Sequence, residues 1–350
     1  MIAFYKRHEL IFKRPSGTSR GVLKKKETWF LILKNGQNYG IGECGLLRGL
    51  SFDDVPHYEE KLIWVCENID LGLKNLLIEL IDFPSIQFGL EQAFLSLRAK
   101  NPFHLYPSNF ILNESPIEIN GLIWMGSKEF MLEQISEKLE SGFTCIKMKI
   151  GAIDFETELS LLSSIREVYG KEEIELRVDA NGAFKPMEAL SKLKTLSQFE
   201  LHSIEQPIKP GNLQEMARLC KTSPLPIALD EELIGVVSLQ EKRKVLESIN
   251  PQYIILKPSL IGGYKGSQEW IDLAEALDIK WWITSALESN IGLNAIAQWT
   301  YTLKSNLPQG LGTGSLFTNN FESPLHVAKG KLFYGKDLSW QQDLIEQLCI

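Results

Sequence analysis

Short apolar runs and amphipathic stretches alternate along most of this chain. The runs are Leu122–Met125, Cys145–Ile150, Ile174–Val178, His202–Ile204, Pro226–Leu229, Tyr253–Leu256 and Lys280–Thr284. Between and after them lie 128–141, 154–169, 186–197, 212–222, 237–248, 264–277 and 290–303, where apolar residues recur at helical spacing. A short run without polar alternation suits a strand buried on both faces, as in a parallel sheet covered by helices. About seven strand–helix repeats predict a (β/α)8-type barrel in preference to an open doubly wound sheet. No GxGxxG follows the first strand, which further disfavours a dinucleotide-binding fold.

The first hundred residues follow a different pattern. Segments 2–13, 28–34 and 38–43 are rich in aromatic and β-branched residues, and Asn35-Gly36 marks a hairpin turn between the last two. Residues 54–82 and 88–99 then read as helices. The expected organisation is an α+β module over 1–115, a barrel over 116–317, and a tail over 318–350 that packs back on the module.

Composition narrows the picture. With 350 residues, 44 % of them apolar, the chain can bury a large core without disulfides. The net charge of −7 and the brevity of the one basic run, Lys24–Lys26, argue against a nucleic-acid partner. An anionic ligand would therefore need local cations. The five cysteines, at 44, 66, 145, 220 and 349, form no CxxC pair and read as reduced thiols. No apolar run suggests a signal peptide or a membrane span, so a cytoplasmic protein without a membrane partner is expected.

In a barrel of this kind, chemistry sits at the C-terminal ends of the strands. The second strand ends in Lys147-Met-Lys149, the third in Asp179-Ala-Asn181 and the fourth in Glu205. The fifth ends in Asp230-Glu231-Glu232, the sixth in Lys257, and the seventh is followed by Ser285 and Glu288. Asp179, Glu205 and Asp230 are 26 and 25 residues apart, one βα unit each, so the repeat brings them to one rim. Any one of them alone would be read as a helix cap. Three together repel unless a cation joins them, and all-oxygen donors suit Mg²⁺ better than zinc.

Lys147 and Lys149 are two residues apart on a strand and share a face, while Ile146, Met148 and Ile150 point toward the helices. The lysines therefore face the barrel interior or its mouth. Two ammonium groups near a metal and out of water are expected to lower each other's pKa, which suits a general base. Lys257 supplies a further cation from across the ring. The bland alternatives are solvated lysines on a strand edge, or a non-catalytic metal-binding scaffold. A closed barrel has no free edge, and a scaffold has no use for buried amines. The histidines form no HxH or HExxH pattern and read as structural. Gly262-Gly263 and Gly310–Gly314 could cradle a phosphate, but tight turns are the preferred reading.

The set Lys147-x-Lys149, Asp179, Glu205, Asp230 and Lys257 resembles the enolase superfamily, muconate-lactonizing subgroup. The resemblance spans essentially the whole chain and implies a modified (β/α)7β TIM barrel with an α+β capping domain. It implies Mg²⁺, with Mn²⁺ as a possible substitute, on Asp179, Glu205 and Asp230, with Asn181 and Glu231 as orienting neighbours. It implies a small-molecule carboxylate substrate, Lys149 as base, Lys257 as the opposing cation, and Lys147 as modulator of Lys149. Segments 14–23, Gly40–Cys44 and Ser285–Gly292 are similar to the o-succinylbenzoate synthase branch, which implies a dehydration. N-acylamino-acid racemases and dipeptide epimerases share the same catalytic set. Loops 14–23 and 44–52 are expected to close over the substrate, with Ser285, Glu288 and Arg20 as substrate-binding candidates.

Overall fold

A computed structural model describes residues 1–18, 21–113 and 115–348; Arg20 lies outside the described residues. The N-terminal part forms an antiparallel sheet of β1 (Ile2–Thr18), β2 (Gly21–Asn35) and β3 (Asn38–Cys44), followed by helices α1 (Tyr58–Glu67), α2 (Gly72–Glu79) and α3 (Pro84–Arg98). Two sequence expectations change here. Of segment 14–23, residues 14–18 belong to β1 and 21–23 to β2, with Ser16 facing Leu23 across the ladder, while Ser19 and Arg20 lie outside the described residues. The helix expected over 54–82 begins only at Tyr58 and breaks between α1 and α2. Gly72 there takes φ 78°, a left-handed conformation that ends one helix direction and starts another.

A short strand β4 (Ile117–Glu118) leads into β5 (Gly121–Ile123), and the alternation then runs as expected. It continues through α4 (Lys128–Glu140), β6 (Cys145–Lys149), α5 (Phe155–Arg166), β7 (Glu175–Asp179), α6 (Pro186–Leu196), β8 (Ser203–Glu205) and α7 (Leu213–Thr222). It closes with β9 (Ile227–Leu229), α8 (Leu239–Ile249), β10 (Tyr253–Leu256), the short α9 (Pro258–Ile261), α10 (Gly263–Ala276), β11 (Lys280–Ile283) and α11 (Asn290–Leu303). Strands β5 to β11 form one parallel sheet in chain order. Segment 309–310 bridges its two edges in parallel, touching Thr284 on one side and Ile119 on the other. That segment takes the place of the eighth stave.

Side chains alternate as a barrel requires. Ile146, Met148, Ile150, Val178, Ile204 and Leu229 point outward into the core shared with the helices, while Ala228, Ile255 and Trp282 pack inside. Several helix starts are capped by side chains that the sequence places there: Ser127, Asp154, Asn212, Ser238 and Ser289. The tail makes a hairpin, β12 (Leu325–Ala328) with β13 (Lys331–Tyr334), that pairs with β4 at the barrel's foot. The last helix, α12 (Leu344–Leu348), packs on Phe30 and Ile32 of the N-terminal sheet. The tail thus returns to both parts of the molecule.

Two glycine expectations are resolved by packing. Gly262 and Gly263 have φ 95° and 70° and form a turn. The backbone N–H groups of Tyr264 and Lys265 in the first turn of α10 are taken by the chain's own Glu91 carboxylate, at 2.5 and 3.1 Å. A Cβ on Gly310 would meet the Thr284 side chain at 2.5 Å, so this glycine lets two staves approach.

Candidate active site

Strand register assembles the site. Lys149 pairs with Asp179, and Asp179 with Glu205, so these three residues stand at one level on adjacent strands. Glu205 pairs with Ala228, which puts Asp230 one same-face step higher. Lys257 follows directly after β10, completing the arc from the other side. All but the partly buried Lys257 are buried at the barrel mouth: Asp179 is 1 % exposed and Glu205 and Asp230 are 2 % exposed.

The lysines and carboxylates interlock. The Lys149 ammonium donates to Asp179 Oδ2 at 2.9 Å and to Asn181 Oδ1 at 2.8 Å. Lys147 donates to Glu205 and lies 3.1 Å from Asp179 Oδ2. Lys257 pairs with Asp230 and lies 3.8 Å from Glu205 Oε1. Asn181, held at φ 43°, receives Lys149 on its oxygen and donates through Nδ2 to Glu231 Oε1 at 3.0 Å. Its backbone N–H goes to Asp179 Oδ1 at 3.0 Å. Asn181 and Glu231 therefore bind the ends of β7 and β9 together around the carboxylates.

With no ion between them, the carboxylates dominate the electrostatics of the rim. Burial lowers the Lys147 pKa, but Asp179 and Glu205 outweigh it and hold the ammonium above its ordinary range. Lys257 is likewise raised, burial being overcome by Asp230 and Glu205. In this arrangement, attraction to the carboxylates exceeds the repulsion between ammonium groups. The opposite holds for Glu205: burial, then the neighbouring Asp179, raises its carboxyl, with Lys147 opposing. Asp179 is lowered despite burial because three lysines surround it.

Among the described residues, no three acidic, histidine or cysteine side chains converge as a finished metal cage. The donor set still fits a hard divalent ion. It offers three buried acceptor-only carboxylates, and Glu205 Oε1 is buried without a hydrogen bond.

A cavity of about 560 Å³ opens above these groups. Lys147, Lys149, Asp179, Asn181 and Lys257 line its floor, Trp124 its side, and Leu23, Leu47 and Leu50 of the N-terminal part its roof. The Lys149 ammonium lies 5.9 Å from the centre of the Trp124 ring. Of the substrate-binding candidates, Ser285 lines this cavity, but its hydroxyl is committed. It donates to Glu288 Oε2 at 2.6 Å and accepts from Thr313 and from the Leu287 backbone. Glu288 is fully buried behind the wall, bonded to Ser259 and Ser285, and does not line the cavity.

Gln206 escaped the sequence reading. It is fully buried at φ 39°. Its oxygen accepts the backbone N–H groups of Asp230 and Glu232, both at 3.2 Å, and its amide donates to Glu232 Oε2 at 3.0 Å. It thereby sets the Asp230 strand end against the Glu205 strand end. Its position inside Glu205-Gln-Pro207 was the available signal, since a polar residue there follows directly on a buried run.

Comparison with known proteins adds a further finding. Residues 131–334 match the family described as enolase C-terminal domain-like. The o-succinylbenzoate synthase of Desulfotalea psychrophila is 47 % identical, over 94 % of this chain and 97 % of that protein. The N-succinylamino acid racemase of Thermus thermophilus is 34 % identical, over 81 % of this chain and 78 % of its own. The crystal structure of MenC from Desulfotalea psychrophila superposes with a TM-score of 0.84 at 44 % identity, covering 95 % of this chain and 99 % of that one.

Proposed function

This chain belongs to the enolase superfamily, and on that premise we propose that it is a dehydratase forming o-succinylbenzoate from a succinyl-bearing hydroxycyclohexadiene carboxylate. The observation that carries the reading is the 47 % identity to an o-succinylbenzoate synthase along nearly the full length of both chains. The lysine and carboxylate set at the barrel mouth supplies the residues the reaction needs.

The proton α to a carboxylate is too weakly acidic for an unaided amine. Asp179, Glu205 and Asp230 would hold Mg²⁺, or Mn²⁺ in its place. That ion, when bound, supplies electrostatic stabilisation for the charge that develops on the substrate carboxylate. The lysines bound to these carboxylates here would then be turned to the cavity. Lys149, starting as the amine, takes the α-proton and returns it to the departing hydroxyl, so water leaves and the ring becomes aromatic. Asn181 and Asp179 fix where that nitrogen stands. Lys257, across the ring of strands, attracts the electron-rich ring and the developing charge. Lys147 adds positive charge beside Lys149. The apolar roof of Leu23, Leu47 and Leu50 excludes water and leaves room for the succinyl arm. The product serves menaquinone biosynthesis, in the cytoplasm on this reading. Among the described residues no helix is long and apolar enough to cross a membrane.

The test is direct. Purified protein with Mg²⁺ and the diene should develop aromatic ultraviolet absorbance, abolished by a chelator. No absorbance change would sink the proposal. A second reading, racemisation of N-succinyl amino acids, is favoured by the 34 % identical racemase and by Lys149 and Lys257, which reach the cavity from separate strand ends. Incubation in D₂O distinguishes it, because racemisation places deuterium at the α-carbon of the amino acid.

A further inference from the structure

A buried, charge-rich seam joins the N-terminal cap to the barrel beside the cavity, and the proposed reaction uses none of it. On the barrel side stands Glu288, fully buried and bonded to the hydroxyls of Ser259 and Ser285. On the cap side stands Glu43, also fully buried. It accepts from Thr28 Oγ1 at 2.8 Å and, from the first turn of α11, the backbone N–H groups of Ser289 and Gly292, both at 2.9 Å. Carboxylates this deep call for a cation. The cation on this side is Lys26 of β2, two residues before Thr28 and therefore on the strand face that meets Glu43; it is 4 % exposed, and its ammonium has no hydrogen bond and no ion pair within 4 Å among the described residues. Burial pushes this ammonium below its ordinary range while the two carboxylates oppose that. A buried lysine so placed, and outside the cavity lining, calls for an explanation.

The seam leads to the cavity wall. Glu288 receives the Ser285 hydroxyl, and Ser285 Oγ receives the Leu287 backbone N–H at 3.0 Å. Leu287 stands at φ 64°, a conformation a leucine keeps only where its surroundings impose it. Its side chain lines the cavity and packs with Leu10, Phe12, Trp124 and Phe317. On the other side, a Cβ on Gly45 would come within 2.7 Å of Ser259 Oγ, so the cap segment after β3 lies directly on the network.

We propose that Lys26 is a positioning residue for substrate binding: by balancing Glu43 and Glu288 it holds Leu287 and the 44–52 segment in the arrangement that shapes the cavity, without touching the ligand. The kinetic part of the test rests on the function proposed above, and the exchange part does not. Lys26→Met should raise KM about tenfold while kcat stays within about twofold, because binding geometry changes and the lysines of the floor do not. Amide hydrogen exchange at 44–52 and 285–292 should accelerate in the same variant. Lys26→Arg should restore both, and Lys26→Met with Glu288→Gln, which removes the charges together, should recover most of the KM. An unchanged KM in an active protein overturns the proposal, as does unaltered exchange at 285–292. So does a loss of activity that merely follows the folded fraction. A wild type inactive on the diene refutes the functional reading alone, and exchange still decides the role of Lys26. Should Lys26→Met fail to accumulate, the double variant decides: near-wild-type exchange supports the role, and collapse overturns it.

Discussion

Lys149 illustrates how the smallest scale decides reactivity. Its nitrogen is fixed by Asp179 and Asn181, and its ring contact is Trp124. Removing the amine as Lys149→Ala should lower kcat by about 10³-fold, the scale of a lost general base, with Mn²⁺ affinity kept in a titration. Loss of ion binding instead would mean that Lys149 serves the metal site. Asn181→Ala leaves the base in place but frees its tether and the link to Glu231. Activity or ion affinity should fall about 10–100-fold, as when partners that orient ligands are removed. The lysine and carboxylate identities were readable because each stands directly after an apolar run. Gln206 was not, since its role lies in backbone groups of the next strand, 24 and 26 residues away.

At the scale of elements, the barrel was legible because short, largely apolar runs alternate with stretches that are apolar at helical spacing. The break between α1 and α2 was less so, since apolar spacing continues across it and a single glycine turns the chain. One contact between elements has a pH signature. Glu91 of α3 is buried against the start of α10, and burial pushes its carboxyl from 4.5 up to about 7 despite two backbone hydrogen bonds. A carboxyl raised on folding favours the folded state while protonated. Its contribution is complete below about pH 4.5 and is lost as pH rises through about 7. Urea midpoints measured from pH 5 to 8 should therefore show a declining component in the wild type that Glu91→Gln lacks. Parallel slopes in the two proteins would remove Glu91 as its source.

At the scale of the molecule, cap and barrel meet around the cavity. Phe12 of β1 and Phe317 cross edge to face at 4.8 Å, and Gly17 bridges Met125 at the end of the first stave. Phe317 is 2 % exposed, so Phe317→Ala should cost about 3–5 kcal/mol in chemical denaturation. Because that cluster includes Leu287 and Trp124, KM should rise more than kcat falls. A stable variant with unaltered KM would mean that the cap's seating does not shape the cavity.

What the chain alone determined is what repeats along it: seven strand–helix units, the rim on which they end, and the six charged residues placed there by period-two and βα spacing. Those patterns are local, and burial on a barrel leaves few other ways to satisfy them. Tertiary structure decided the rest. Charge balance at the rim, with Lys147 held above its ordinary range by Asp179 and Glu205, depends on distances between strands. Glu288, expected to face a ligand, is turned behind the wall because two serines and the approach of Gly45 hold it there. The turn expected at Gly262-Gly263 is present, and the backbone N–H that follows it goes to a carboxylate from a helix about 170 residues earlier. Each of these outcomes depends on a partner distant in sequence, and periodicity along the chain carries no information about such partners.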